Sequence, residues 1–417
     1  MAPLTLKPES PAYGGAMVAR EDGKAVFVYY ALPGETVEAE PRGRRGGVTF
    51  ARTTAVVEPS PDRVEPRSPQ YGECGGCHLQ HATYKRQLEL KRRVVEDAWS
   101  RVGLRLPPDA PVLGMEDPWR YRIRGEFEAV YGPDGRFDFG LHRLRSHSVV
   151  PVHVCPIHDE RIERGLEAFR GAIAASGVKG VQNLTLTVEP GGNGLLWSLR
   201  FGGRPRAVLD PSVVAAAAER VPDLVLLDDS MTFEFWGLSF RVRSDTFVQT
   251  NHRQMLVLYQ AALDYLEPAP GRRVLDLFAG IGTISLALAQ RGATVTAVEE
   301  NPRAVQMGRL AARINAIDRV TFRTGRVERV LKQIRLGEHD AAVLDPPRAG
   351  CEPAAIGELL RLAPDRLAYI SCDPVTHARD LALLVRGGYR VRKAAIVDMF
   401  PQTYHIESVA LLERAGS

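Results

Sequence analysis

Residues Val274 to Ala289 read V-L-D-L-F-A-G-I-G-T-I-S-L-A-L-A, an apolar run that breaks at two glycines and resumes with helical spacing. A buried strand, a tight turn and a helix in that order open a parallel α/β sheet, and such sheets take ligands at the carboxyl ends of their strands. Gly280 and Gly282 let the backbone turn close against a ligand. Ser285 stands where a dinucleotide fingerprint would carry its third glycine, so the loop is not built to cradle a pyrophosphate.

The next strand, Thr294 to Val298, ends in Glu299, placed to accept ribose hydroxyls. A ribose without a pyrophosphate fits S-adenosylmethionine. Another apolar strand, Ala341 to Leu344, runs into Asp345-Pro346-Pro347-Arg348, a rigid turn with a carboxylate at its mouth. In L-A-Y-I-S-C-D-P-V-T-H-A-R-D, Leu367 to Asp380, a thiol follows an apolar run, and Pro374 keeps Asp373 out of the helical region. Cys372 is thereby delivered at a strand end. A last strand, Ile406 to Leu412, carries Glu407 among apolar residues, where a carboxylate needs a partner or a job.

Length and charge set the surroundings. A chain of 417 residues makes two or three domains. Its net charge of +4, from 54 basic and 50 acidic residues, permits nucleic acid without requiring it. No apolar run approaches the roughly 20 residues of a membrane span, and no signal-peptide core opens the chain, which predicts a cytoplasmic protein with no membrane partner. Five cysteines, an odd number, argue against a disulfide framework and for metal or catalytic use.

Residues 1–62 alternate as a small β-barrel, through Ala25–Tyr30, Thr36–Ala39 and Gly47–Thr54 with turns at Pro33-Gly34 and Gly46-Gly47. Arg42, Arg44, Arg45 and Arg52 interleave there with Phe27, Tyr29, Tyr30 and Phe50, a composition that suits RNA or a solvated hairpin equally. Tyr71 to His81 then reads Y-G-E-C-G-G-C-H-L-Q-H. The Cys74-x-x-Cys77 spacing is half of a thiolate metal site, Cys155 is the one other thiol outside the C-terminal third, and His78, His81, His153 or His158 could add a donor. A helix over Ala82–Val102 shows a basic face that either meets phosphates or is solvated. From Pro118 to Val242 the pattern is strand-rich and basic. The domain expectation is therefore 1–62 as barrel, 63–81 with 104–243 as central domain, 82–103 as a helix packing on the catalytic domain, and 244–417 as catalytic domain.

Five stretches resemble the S-adenosylmethionine-dependent RNA (uracil-5-)-methyltransferase family in order: F-V-Q-T-N (Phe247–Asn251), L-D-L-F-A-G-I-G (Leu275–Gly282), D-P-P-R-A-G (Asp345–Gly350), S-C-D-P-V-T-H-A-R-D (Ser371–Asp380) and M-F-P-Q-T-Y-H-I-E (Met399–Glu407). A-L-P-G-E (Ala31–Glu35) resembles the TRAM domain of the ribosomal-RNA members, and E-C-G-G-C-H-L-Q-H their iron–sulfur segment. The resemblance implies a class I, Rossmann-like methyltransferase domain behind a TRAM/OB-like barrel. It implies Cys372 as the nucleophile at uracil C6 and Glu407 as the base at C5. Gln249, Phe278, Gly280, Gly282, Thr283, Glu299 and Asp345 fall at cofactor positions.

The substrate implied is 23S ribosomal RNA, with transfer RNA second and a cytosine-C5 enzyme as the alternative, acting as a monomer. Ser68 stands where the family carries a cluster cysteine, which leaves Cys74, Cys77 and Cys155 to hold a [4Fe-4S] cluster weakly, to bind zinc, or to hold nothing. Ala279, Thr283 and Asp373 replace the family's usual Cys, Asn and Asn, and Arg326 replaces an acidic or amide contact to adenine.

Overall fold

The computed structural model of the chain describes residues 3–132, 136–202 and 210–415. The front of the chain forms the expected small barrel-like sheet from β1 (Leu4–Leu6), β2 (Ser10–Pro11), β3 (Ala16–Glu21), β4 (Lys24–Tyr29), β5 (Thr36–Arg45) and β6 (Val48–Glu58), in the order β1-β5-β6-β4-β3-β2. Its interior is Leu6, Ala19, Val26, Val28, Val37, Ala39 and Ala51. β5 and β6 extend beyond the alternating runs as a long hairpin that turns at Gly46 and Gly47, both at positive φ. The arginine-rich end of β5 has no apolar period to read. Main-chain pairing with β6 is what makes it a strand.

Helix α1 (Tyr84–Ser100) is capped by Thr83, whose hydroxyl accepts from the Arg86 amide. Val94, Val95, Ala98 and Trp99 join the same core as Leu381 and Leu384 of the C-terminal region. β7 (Val112–Leu113) lies within the stretch assigned from sequence to the central domain, yet it is an edge strand of the C-terminal sheet. Two residues carry no periodicity that could have shown this.

The central sheet has the order β10-β9-β8-β11-β12-β13. It comprises β8 (Arg124–Tyr131), β9 (Phe137–His142), β10 (Val149–Pro151), then, after helix α2 (Glu160–Ser176), β11 (Val181–Val188) and β12 (Gly194–Phe201), and, after α3 (Pro211–Arg220), β13 (Val225–Leu227). The two helices interrupt a stretch whose pattern suggested strands, and their signals are local. Asp159 caps α2, Gly177 ends it in the left-handed region, and Asp210-Pro211 starts α3. Ile162, Leu166 and Phe169 of α2 bury against Leu184 and Leu186 of β11. A hairpin of β14 (Ser230–Phe235) and β15 (Leu238–Arg243) follows.

The remainder is α4 (His252–Leu266), β16 (Arg273–Leu277), α5 (Thr283–Gln290), β17 (Thr294–Glu299), α6 (Pro302–Ile314), β18 (Val320–Thr324), α7 (Val327–Leu331), β19 (Ala341–Leu344), α8 (Pro353–Leu362), β20 (Arg366–Ser371), α9 (Pro374–Arg386), β21 (Tyr389–Val397) and β22 (Glu407–Arg414). The sheet order is β18-β17-β16-β19-β20-β22-β21-β7, with β16 to β20 parallel and β22 antiparallel to both neighbours. Near-continuous burial of β16, β19 and β20 is what a sheet covered on both faces requires. Among the described residues no helix is long and apolar enough to cross a membrane.

Candidate active site

The strand order reverses between β16 and β19, and the crevice at such a point is where an open α/β sheet binds ligands. β17, β16, β19 and β20 end at Glu299, Leu277, Leu344 and Ser371. Their carboxyl edge therefore presents Glu299, Phe278, Asp345 and Cys372 side by side. β22 runs the other way, so its first residue, Glu407, lies at that same edge. Ser371 and Ser408 form the last pair of the β20–β22 register, next to Cys372 and Glu407, and Glu407 is near enough to act on the thiol.

These residues line a cavity of about 1780 Å³ together with Gln249, Gly280 and Thr283. That exceeds the few hundred to about 1,000 Å³ of a single small-ligand pocket. It has room for a cofactor and a nucleotide together. Phe278 sits at φ 65°, a left-handed conformation rare for an aromatic residue, and so marks a constrained turn. Gly282 has φ 80°, and a Cβ there would lie 2.7 Å from Phe322. The glycine is required for conformation and for space. The Glu299 carboxylate accepts from the Gly280 amide at 2.9 Å and the Asn301 amide at 2.7 Å, which fixes the loop and leaves lone pairs facing the cavity.

Asp276 and Tyr259 belong to this cavity and carried no role in the sequence reading. Asp276 is 1% exposed, and its carboxyl is pushed up to about 7, chiefly by burial. Ser285 donates to it at 2.5 Å, which gives the residue at the missing third glycine a structural purpose. A carboxylate inside V-L-D-L could have been flagged by the same logic that singled out Glu407. Tyr259 of α4 donates to Asp345 at 3.3 Å and is also bonded to Gln249, so it ties together two of the cofactor candidates. Asp345 is likewise raised to about 7 by desolvation.

Cys372 is half-buried between β20 and α9. Asp373 is the N-cap of that helix, its carboxylate accepting from the Val375 and Thr376 amides, with Pro374 at the first helical position. Burial pushes the Cys372 thiol up to about 12, the Glu407 and Asp345 carboxylates add to this, and Arg348 opposes them. Glu407 is 4% exposed and held well above the usual carboxylate range, first by burial and then by Asp345, again opposed by Arg348. The thiol and the carboxylate disfavour each other's charge. Arg348, from the D-P-P-R turn, is the cation that mediates between them.

The segment leading into Glu407 is held by buried polar contacts. Asp398 is fully buried and accepts from Lys91 Nζ at 2.5 Å and the Tyr84 hydroxyl at 2.8 Å. Lys91 also donates to the Phe400 carbonyl. Asn251 donates to the Met399 carbonyl, Tyr121 to that of Pro401, and Gln87 exchanges hydrogen bonds with Gln402. Lys91 thus departs from the expectation of a phosphate-facing or solvated helix face. It lies inside, paired to the loop before Glu407.

The thiol segment is brought together in part. Ser68, Cys74, Cys77, Cys155 and His158 line one cavity of about 320 Å³ with Arg122. Among the described residues, however, no group of three or more His, Cys, Asp or Glu side chains is arranged to hold a metal ion. Burial raises the Cys155 thiol to about 11 and Cys77 further up, and the neighbouring thiols add to both shifts. His81 is engaged by Tyr71 and the Ala31 carbonyl, His153 by Asp138, and His78 packs edge-on against Tyr404. With Ser68 beside three thiols, the donor set does not fit a cluster in this arrangement. Arg326 borders the large cavity and pairs with Glu328 at 3.0 Å.

Comparison with known proteins agrees with this geometry. The tRNA (Uracil-5-)-methyltransferase family model matches residues 225–415. A 23S rRNA (uracil(1939)-C(5))-methyltransferase of Shewanella amazonensis is 34% identical over 98% of this chain and 95% of its own. An RNA methyltransferase of Halalkalibacterium halodurans, itself uncharacterized, is 33% identical over 97% and 95%. In fold, the chain superposes with TM-score 0.76 on the Pyrococcus abyssi tRNA (uracil-54, C5)-methyltransferase bound to S-adenosyl-L-homocysteine, at 21% identity over 99% and 100% of the two chains. With a class I sheet, an N-terminal barrel and relatives matching it end to end, the chain belongs to the S-adenosylmethionine-dependent RNA (uracil-5-)-methyltransferase family.

Proposed function

We propose that the enzyme methylates C5 of a uridine in 23S ribosomal RNA, with Cys372 as nucleophile and Glu407 as base. The observation that supports the residue roles is that Cys372 and Glu407, next to the last β20–β22 pair of Ser371 with Ser408, line the same cavity. Uracil C5 is a weak nucleophile. Addition of the thiolate to C6 forms a C–S bond and moves the electron pair to an enolate, whose C5 displaces the sulfonium methyl. Glu407 as carboxylate then takes the C5 proton, the C5–C6 double bond re-forms, and the C6–sulfur bond breaks to return the thiolate. A thiol raised to about 12 needs a cation to ionise, and Arg348 is the side chain here that lowers it; a bound sulfonium would act in the same direction.

Gln249, Phe278, Gly280, Gly282, Thr283, Glu299 and Asp345 hold the cofactor in this reading. Residues 1–62 and the central region, 63–81 with 104–243, present the RNA, residues 82–103 brace the catalytic domain, and 244–417 perform the chemistry, as a monomer in the cytoplasm. Ribosomal over transfer RNA is favoured by the full-length likeness to the Shewanella enzyme. The three-thiol segment is read as a structural turn without a cluster. Transfer of labelled methyl groups to unmodified 23S rRNA and tRNA transcripts, followed by mapping, tests the assignment. Label as 5-methyluridine in the ribosomal transcript is expected, and label confined to tRNA or to cytidine would overturn it.

A further inference from the structure

The turn that carries Arg348 is gripped from behind by α9, the helix that begins just after Cys372. Thr376, Arg379 and Asp380 reach it from one face of that helix, at the three- and four-residue spacing that sets side chains side by side. The Thr376 hydroxyl donates to the Arg348 carbonyl at 3.0 Å. Arg379 donates through Nη2 to the Ala349 carbonyl at 2.9 Å and to that of Cys351 at 3.3 Å. Asp380 is fully buried. Its Oδ2 accepts from the Cys351 amide at 2.8 Å and the Tyr369 hydroxyl at 2.6 Å, while Oδ1 accepts from Arg379 Nε at 2.8 Å. Gly350, at φ 75°, completes the fit, since a Cβ there would lie 2.5 Å from Asp380 Oδ2 and 2.6 Å from Arg379 Nη2.

A carboxylate without exposed surface is costly and persists only with its donors in place. None of the three side chains lines the reaction cavity, so their work is not contact with substrate or cofactor. What they hold is the residue that mediates between thiol and carboxylate. The Arg348 guanidinium forms no ion pair among the described residues, and its side-chain partner is His405, whose Nδ1 accepts from Nη2 at 3.1 Å. Burial above all holds that imidazole near 3, so the ring is neutral and free to accept. A neutral ring gives the cation a direction but no charge to rest against. The backbone grip supplies the rest of its placement. Around the Cys372 thiol the charged groups are Glu407 from β22 with Asp345 and Arg348 from this turn, so a displaced Arg348 leaves the thiol with two carboxylates.

We propose that Thr376, Arg379 and Asp380 are positioning residues for the methyl transfer, which act through the backbone of residues 348–351 to keep the Arg348 guanidinium where it favours the Cys372 thiolate. The proposal rests on the reading of Cys372 as nucleophile. No contact with RNA enters it.

The test is alkylation of Cys372 by iodoacetamide in the full chain, between about pH 7 and pH 10, followed by mass spectrometry of the peptide that carries this thiol. The thiolate is the reactive form, so the rate follows the ionised fraction. An opposite charge at close range shifts a group by about one unit or more, and Arg348→Met should therefore slow alkylation about tenfold or more. Asp380→Asn releases Arg379 and should show part of the same effect, about three- to tenfold. Thr376→Val should slow alkylation several-fold, whereas Thr376→Ser keeps the hydroxyl and the wild-type rate. Mere loosening has the opposite sign, because a more exposed thiol ionises more readily and reacts faster. In methyl transfer to the ribosomal transcript, kcat should fall in the same order while KM for the transcript stays. Circular dichroism reports folding, and should Asp380→Asn fail to fold, the Thr376 pair carries the test. Alkylation at or above the wild-type rate in the folded Asp380→Asn and Thr376→Val variants overturns the proposal, as does a wild-type rate in Arg348→Met. Slowed alkylation in variants of an enzyme that methylates no uridine would support the positioning role and refute the function proposed above.

Discussion

Replacing Lys91 by Met leaves the Asp398 carboxylate fully buried with the Tyr84 hydroxyl as its remaining side-chain donor. Removing one partner of a buried ion pair costs about 3–5 kcal/mol, because the remaining charge stays desolvated. The penalty falls on residues 398–402, which lead into Glu407. A chain of several packed units does not unfold in one step, so the local measure is preferable. Native-state hydrogen exchange of the peptide containing Met399 and Gln402, whose amides bond to Val397 and Gln87, should accelerate by about two to three orders of magnitude. Asp398→Asn in the same background should recover about 2 kcal/mol of that loss, since neither charge is then left unpaired. The methyl-transfer rate should fall with the loop while cofactor affinity stays. Exchange within threefold of wild type in Lys91→Met would refute the claim that this pair holds the loop.

Other outcomes follow from the same geometry. Asp276 and Asp345, both raised to about 7 by burial, hold protons in the folded state that the unfolded chain has released above about pH 4. Their contribution is therefore complete below that value and is lost as pH rises through about 7. Thermal unfolding of the cofactor-free enzyme should shift downward over this range by an amount on the order of a few kcal/mol, less in Asp276→Asn. Gly282→Ala should weaken S-adenosylhomocysteine binding about tenfold or more, as the added carbon meets Phe322 at a positive φ; calorimetry reads this. Anaerobically purified protein should carry far less than stoichiometric iron by elemental analysis, with Ser68→Cys the variant that gains it. Full iron occupancy in the wild type would contradict the reading of the thiol cavity.

Much of the site was legible because its residues punctuate strands. Glycines, prolines and carboxylates that end apolar runs gave Gly280, Gly282, Glu299, Asp345 and Cys372, and the sheet order then places them on one edge. Lys91, Asp398 and Tyr259 were not legible. Their meaning comes from partners up to 314 residues away, and a lysine on a helix full of basic residues reads as solvated until its carboxylate is seen. Helices α2 and α3 were lost for a different reason: the surrounding strands set the apolar pattern, and only the caps at Asp159 and Asp210 marked their starts. Arg145 was legible only as one of the recurring basic residues of the central region; its place over Tyr29 and Phe50, rings from another part of the chain, was not.

The central claim is that Cys372 attacks uracil C6 and Glu407 later removes the C5 proton. A fluorine at C5 cannot leave as a proton, so 5-fluorouridine-substituted 23S rRNA fragments incubated with S-adenosylmethionine should trap the enzyme as a covalent methylated adduct, visible by denaturing electrophoresis and mass spectrometry. The account predicts that Cys372→Ala abolishes the adduct, and that Glu407→Gln still forms a covalent complex with unsubstituted RNA that fails to turn over. An adduct that persists in Cys372→Ala, or release of 5-methyluridine at the wild-type rate by Glu407→Gln, would contradict it.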